Sequence, residues 1–375
     1  MALFAATLVA GAGTIHYQTP MLGAMAAEFG ASPAEIGWVP TLTFGGFLFG
    51  IVFLAPLGDR FDKRRLILAQ LAPLIAALLC IAAAPSLPAL VAGAFAVGMF
   101  ACFTQNILPL AAELAPPDSR GRVMGTLLSA LFIGILCGRL AGGFIGGWLG
   151  WRWMYVISAG TLSVLAPFLV ARLPSSAPKT SLPYFRLLAS LFELLRQHAA
   201  MRRVVATQFL LGICYGGLWA TVAPMLARVH GLGPQSAGLM GLPGAAGILV
   251  ARPAGRWMDR SGARPVVLLG VSLVIAAWGV FALGQWWIGA IVAGAMLLDC
   301  GHRATMVANQ TVMNTLSPDA RSRSNTLFAM HVWGGNAVGA FLASMALAQG
   351  GWLAVCAIAA AAACCALAVQ ALARR

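Results

Sequence analysis

Carboxylates are the scarcest chemistry in this chain. Its 375 residues hold only 10 Asp and Glu against 24 Lys and Arg, and charged residues of both signs amount to 9%. A soluble domain carries about 25% charged residues, so this composition cannot clothe a water-facing surface. With 60% hydrophobic residues and a mean hydropathy of +0.87, it is the composition of a polytopic membrane protein. No His-Glu-x-x-His or Gly-x-Ser-x-Gly occurs, which argues against an intramembrane enzyme built on those signatures. The eight cysteines fall inside apolar runs without disulfide or metal-ligand spacing, and no cofactor is implied. No Lys or Arg precedes Arg60, so the basic region of a cleaved signal peptide is missing and a short or shortened amino terminus is expected.

What the chain does have is apolar length. A span needs about 20 apolar residues, and Pro, Gly and charge clusters divide the sequence into twelve segments near 2–23, 34–57, 66–84, 88–112, 123–147, 153–171, 204–227, 237–258, 265–284, 286–311, 325–348 and 352–372. An all-α membrane protein follows. The net charge of +14 could suit a nucleic acid, but its distribution decides otherwise: under this division 18 of the 24 basic residues fall on one side. The positive-inside rule then puts both termini in the cytoplasm and makes the excess charge topological. Between the sixth and seventh segments, Arg186, Ser190, Glu193 and Gln197 share one helical face and Leu187, Leu188, Leu191, Leu194 and Leu195 the other. Such a helix lies on the membrane surface or packs on the bundle.

The sequence also repeats. "LGDRFDKRR" (57–65) returns as "WMDRSGARP" (257–265), with Asp59 and Asp259 at an offset of 200. "PDSRGR" (117–122) returns as "PDARSR" (318–323), Gly134 and Gly138 as Gly335 and Gly339, and "GW" at 150–151 as "GW" at 351–352, all at an offset of 201. Two parallel six-span halves, 1–171 and 204–375, joined by a cytoplasmic connection at 172–203, are the plan of a secondary transporter.

At these residues the chain resembles the major facilitator superfamily. Its signature between spans two and three, Gly-x-Leu-x-Asp-Arg-x-Gly-Arg-Lys, is similar to "APLGDRFDKRR", with Ala55 and Asp62 at the glycine positions, and to "GRWMDRSGAR" in the second half. The resemblance implies a major facilitator fold of twelve helices in two pseudo-symmetric halves. It also implies a cytoplasmic gate formed by Asp59, Arg60 and Arg64 with Asp259, Arg260 and Arg264. A second signature, typical of proton-exchanging exporters, is similar to "GILCGRLAGG" (134–143), with Arg139 in place of its proline. "HYQTPML" (16–22) and "DARSRSNT" (319–326) resemble a group of bacterial twelve-span efflux permeases. Export of a small molecule by proton antiport across the bacterial inner membrane is thereby implied, with uptake by symport as the alternative. The expected molecule is a monomer whose partners are its substrate, protons and the lipid bilayer.

"LLDCGHRATM" (297–306) interrupts the tenth segment with three ionisable groups. Residues three and four apart share a helix face, so Asp299, His302, Arg303 and Met306 fall in one sector. A single charge at a span centre costs about 2.5 to 3.5 kcal/mol. Asp299 and Arg303 therefore form either a self-neutralising structural pair or a titratable patch on the substrate pathway. Arg139, His16, Gln18 and His331 are further candidates to line that pathway, and for the histidines a helix–helix hydrogen bond is the competing role.

Overall fold

The computed structural model describes residues 1–116, 118, 120–176, 184–316 and 321–372, apart from the side chains of Asp59, Arg120, Phe185, Leu187, Ile248, Ala251, Arg252, Arg321 and Ser322. Parts of the two repeated "PD" stretches and of the connection at 172–183 thus lie outside the described residues.

The described residues form helices and no strand. In chain order these are α1 (Ala2–Thr14), α2 (Gln18–Phe29), α3 (Pro33–Ile36), α4 (Trp38–Phe53), α5 (Leu57–Arg60), α6 (Lys63–Ala82), α7 (Leu87–Ala101), α8 (Thr104–Leu114), α9 (Arg120–Trp148) and α10 (Trp151–Arg172). After the connection come α11 (Tyr184–Gln197), α12 (Ala199–His230), α13 (Pro234–Leu239), α14 (Gly241–Gly244), α15 (Ala246–Ser261), α16 (Ala263–Ala282), α17 (Ile288–Leu316) and α18 (Arg321–Ala371). Among the described residues, eight helical stretches are long and apolar enough to cross a membrane. The expected segments that lack a stretch of their own differ for local reasons. Segment 2–23 is broken between α1 and α2, where Pro20 has no N–H to give the His16 carbonyl. Segment 237–258 is split into α13, α14 and α15, and Pro243 likewise cannot bond Leu239 at the end of α13. Segment 286–311 is one continuous helix, α17, diluted by its own polar residues. Segments 325–348 and 352–372 run together as α18 across a sharp joint at Gly351 (φ 67, ψ −162).

That joint explains the repeated "GW". Gly150 and Gly351 both take positive φ, 94° and 67°, a conformation that costs glycine little and other residues much. The following tryptophans anchor the turn: Trp151 Nε1 donates to Glu28 at 2.6 Å, and Trp352 Nε1 donates to the Phe281 carbonyl at 2.6 Å. Gly30 and Gly231, with φ of 61° and 64°, end α2 and α12 at the same offset of 201, an offset shared by Pro33 and Pro234 and by Gly37 and Gly238 just beyond them. The repeat fails at its gate loop. Gly262 turns the chain with φ 80°, whereas Asp62 keeps a negative φ. Asp62 instead caps α6, accepting from Arg64 N at 3.0 Å and from Ser176 N at 2.9 Å, which ties the loop to the end of α10.

Two apolar cores form, one within residues 4–173 and one within 211–366. Small residues set the closest helix contacts. Gly134 and Gly138 of α9 lie against Val9 and Gly13 of α1, and Gly335 and Gly339 of α18 lie against Phe209 and Ile213 of α12. The two cores meet chiefly at one end. There Trp38 of α4 packs against Phe341 of α18, ring centroids 5.1 Å apart, Gly37 abuts Ser344, and Gly143 of α9 abuts Gly238 of α13. At the opposite end α11 buries Leu191 and Leu194 with Val204, Met313 and Phe328, while Tyr184 donates to the Phe53 carbonyl of α4 at 2.9 Å. One face of this helix therefore packs on the bundle, while Phe192 stays exposed.

Gly216→Ala puts a methyl into the Asn336 backbone and should lower stability by about 1 to 3 kcal/mol. Gly160→Ala meets open space and should be neutral or stabilising; thermal unfolding in detergent compares them. Partial burial raises the Asp62 carboxyl, but the N–H groups of Ser176 and Arg64 and the charge of Arg65 outweigh it, leaving the group below the usual carboxylate value. A lowered folded-state value means stabilisation that is complete above the unfolded value and is lost as pH falls. The midpoint gap between wild type and Asp62→Ala should therefore be full at pH 7 and close below about pH 4.

Candidate translocation site

Helix α17 brings Asp299 and Arg303 one turn apart, and they pair at 3.3 Å between Nε and Oδ1. Asp299 is 1% exposed. The space around it is shaped by the break between α14 and α15: a Cβ on Gly244 would stand 3.0 Å from Asp299 Oδ2, and one on Gly247 would stand 2.6 Å from Arg303 Cγ. Only backbone fits there. The Arg303 guanidinium lies 4.7 Å from the ring centroid of Phe132, which belongs to α9 in the first repeat.

Arg139, also on α9, completes the contact from that side. It is buried, donates from Nη2 to Tyr215 Oη of α12 at 3.0 Å, and lies 3.4 Å from the ring centroid of Trp219. Tyr215 in turn stacks on His302 at 4.9 Å and 23°. Thus Arg139, Tyr215, His302, Arg303 and Asp299 form one buried set from α9, α12 and α17. Several of its polar atoms have no hydrogen-bond partner, including Arg139 Nε and both ring nitrogens of His302. Buried polar atoms are normally bonded, so these orphans mark a place where a ligand or water can bind.

The other expected residues divide. His16 sits at the break between α1 and α2, buried, with both nitrogens unpartnered and its ring 6.4 Å from Trp333. Trp333 also packs on Phe47 at 4.4 Å. Gln18 accepts from the Thr43 hydroxyl at 2.8 Å, a helix–helix contact within the first repeat. His331 is 2.8 Å from the Leu327 carbonyl of its own helix. Met306 packs with the α11 cluster instead. In the gate loops, Arg60, Asp259, Arg260 and Arg264 are exposed, Arg64 donates to the Val170 carbonyl at 2.6 Å, and the Asp59 side chain lies outside the described residues.

Asp299 is the one carboxylate of the ten that lies in mid-span, and it faces two arginines. A buried ion costs several kcal/mol even after relaxation, whereas cation–π contacts such as those on Trp219 and Phe132 contribute about 0.5 to 2 kcal/mol each. Aromatic contact alone does not offset the second cation.

Two participants escaped sequence reasoning. Tyr215, one of only four tyrosines, was hidden in "GICYGGLW" (212–219), although its spacing of four from Trp219 places both on one face. The pair of buried Lys63 with half-buried Glu113, at 3.1 Å, joins α6 to α8 beside the gate loop. Its members are 50 residues apart in sequence, so no local pattern announces it.

A repeated bundle of apolar helices, broken beside a buried charged set where the repeats touch, defines a membrane transporter. The sequence profile of the Major Facilitator Superfamily matches residues 2–253 and 204–375, and the chain belongs to that family, whose members are transporters and not enzymes. The chain is 33% identical over 346 residues to an uncharacterized transporter, YgaY, of Escherichia coli O157:H7, covering 91% of this chain and 87% of that one. It is 26% identical over 389 residues to a multidrug resistance protein B homolog of Mycobacterium tuberculosis, covering 86% and 71%. The fold is similar to those of the nucleoside transporter NupG (TM-score 0.78, 14% identity, 99% of this chain and 98% of that one) and of an inward-facing, occupied bacterial Spinster homolog (TM-score 0.76, 18% identity, 99% and 96%).

If the Asp299–Arg303 pair is only structural, Asp299→Asn strands the Arg303 cation and should cost about 3 to 5 kcal/mol, the usual consequence of breaking a buried pair. Asp299→Asn with Arg303→Gln should recover most of that loss, as read from the thermal midpoint and the yield of monodisperse protein.

Proposed function

We propose that the chain is a secondary active transporter that exports a small molecule across the bacterial inner membrane by alternating access, in exchange for protons bound at Asp299. The single observation behind this reading is the mid-span carboxylate paired with Arg303, on the helix that also carries His302, where the two repeats touch, since ionisable groups inside spans mark ion and substrate pathways. The direction rests on the multidrug resistance name of one relative and on the resemblance to efflux permeases. Uptake by symport is the second reading, favoured by the excess of positive charge in the set: a proton on Asp299 would help an acidic substrate to bind.

In this reading there are twelve crossings, in halves 1–171 and 204–375, with the termini and the connection at 172–203 cytoplasmic and the protein working as a monomer. The gate loops around Asp59, Arg60 and Arg64 and around Asp259, Arg260 and Arg264 then face the cytoplasm. The exposed arginines of those loops and the closure of the repeats at the far end support a conformation open toward that side. Asp59 and its repeat mate bias the equilibrium between open states, a role suited to a carboxylate near a helix amino terminus, worth about 0.3 to 1 kcal/mol.

The test is flux in reconstituted vesicles under an imposed pH gradient, against a panel of small organic acids, amines and neutral compounds. Saturable efflux against an inward proton gradient is expected. Asp299→Asn should abolish gradient-driven flux and leave substrate exchange without a gradient detectable. Wild-type rates from the double variant Asp299→Asn with Arg303→Gln would remove Asp299 from coupling, and loss of coupling in His302→Gln with Asp299 intact would move the proton to the imidazole.

A further inference from the structure

We propose that the buried set binds an organic anion with a flat apolar body, its acidic group held by Arg139 with Arg303 beside it. The inference rests on the reading of this set as the substrate site, and not on the direction of flux.

Three observations carry it. First, two guanidinium groups face one carboxylate. Asp299 spends its Oδ1 on Arg303, and its other oxygen lies close to Gly244 at the end of α14. The remaining groups of the set, Tyr215, Trp219 and His302, bring no negative charge. Second, Arg139 is held and yet incompletely satisfied. It is 3% exposed and gives one hydrogen bond to a neutral phenol, while its Nε has no partner. A guanidinium presents a planar fork that suits a carboxylate, and this one is already oriented by Trp219 and Tyr215. Third, the surfaces around it are flat and aromatic: Phe132 at Arg303, Trp219 at Arg139, and Tyr215 stacked on His302. These rings offer faces to an unsaturated body while the arginines take its charge. A cationic substrate would meet the reverse arrangement, with its counter-charge already engaged by Arg303.

The experiment uses the purified full-length protein in detergent and three probes of equal shape: 1-naphthoate, 1-naphthamide and 1-naphthylmethylammonium. Binding is read from the shift in thermal midpoint and from quenching of tryptophan fluorescence. Naphthoate should bind saturably and at least about tenfold more tightly than the amide or the amine, a difference of about 1.4 kcal/mol. Arg139→Gln should weaken naphthoate at least about tenfold, as expected when one partner of a buried charge pair is removed, and Arg139→Lys should recover part of the loss. Asp299→Asn with Arg303→Gln, which preserves the charge balance, removes the neighbouring guanidinium and should weaken naphthoate less than Arg139→Gln does; equal or greater weakening in a monodisperse sample would overturn the proposal. Preference for the amine, equal binding of acid and amide, no binding of any probe, or unchanged naphthoate affinity in Arg139→Gln would each overturn the proposal. Naphthoate binding without gradient-driven flux would instead count against the transporter mechanism, so the two failures are separable.

Discussion

In hydrocarbon a backbone amide has no water to turn to, and the rest of this structure depends on that constraint. It drives the chain into helices that satisfy their own N–H and C=O groups and makes every break in a helix costly unless the freed groups find partners inside the protein. The breaks here fall where proline removes a donor, at Pro20 and Pro243, and polar side chains gather at the same places. His16 and Gln18 flank the first break, and the backbone of Gly244 at the second lies against Asp299. Irregular backbone and buried charge share a location because each is tolerated only away from lipid.

Glycine does the complementary work between helices. Without a hydrophobic drive for helices to associate within lipid, close backbone packing carries much of the attraction. The contacts of α9 with α1 and of α18 with α12 are made through glycines that recur at the repeat offset. α9 is exceptional in using two faces: Gly134 and Gly138 hold it to α1, while Arg139 and Gly143 turn toward the second repeat. The residue that departs from the exporter signature is therefore the one that reaches across between the repeats. Proline there would have supplied no charge; arginine supplies a cation that only an acidic partner fully answers.

The buried set is costly by design of its surroundings and not by accident of one residue. Phe132, Trp219 and Tyr215 orient both guanidinium groups, so the positive charge is fixed in place before any ligand arrives. A fixed, desolvated charge discriminates between substrates by sign more strongly than a mobile one on a wet surface.

The sequence by itself determined the solvent, the helical class and the repeat, because hydropathy, span length and the 200-residue echo are properties of composition and order. It also singled out Asp299, His302, Arg303 and Arg139, since a charge inside an apolar run is conspicuous wherever the run ends up. Only the tertiary structure decided which of them meet. Arg139 and Tyr215 are 76 residues apart and come together through packing between α9 and α12, which no periodicity encodes. His331, as conspicuous in the sequence as His302, bonds to its own helix instead. The physical reason is directional: local spacing tells which residues share a face of one helix, but the neighbour that face meets is set by glycine contacts and helix breaks distributed over the whole chain.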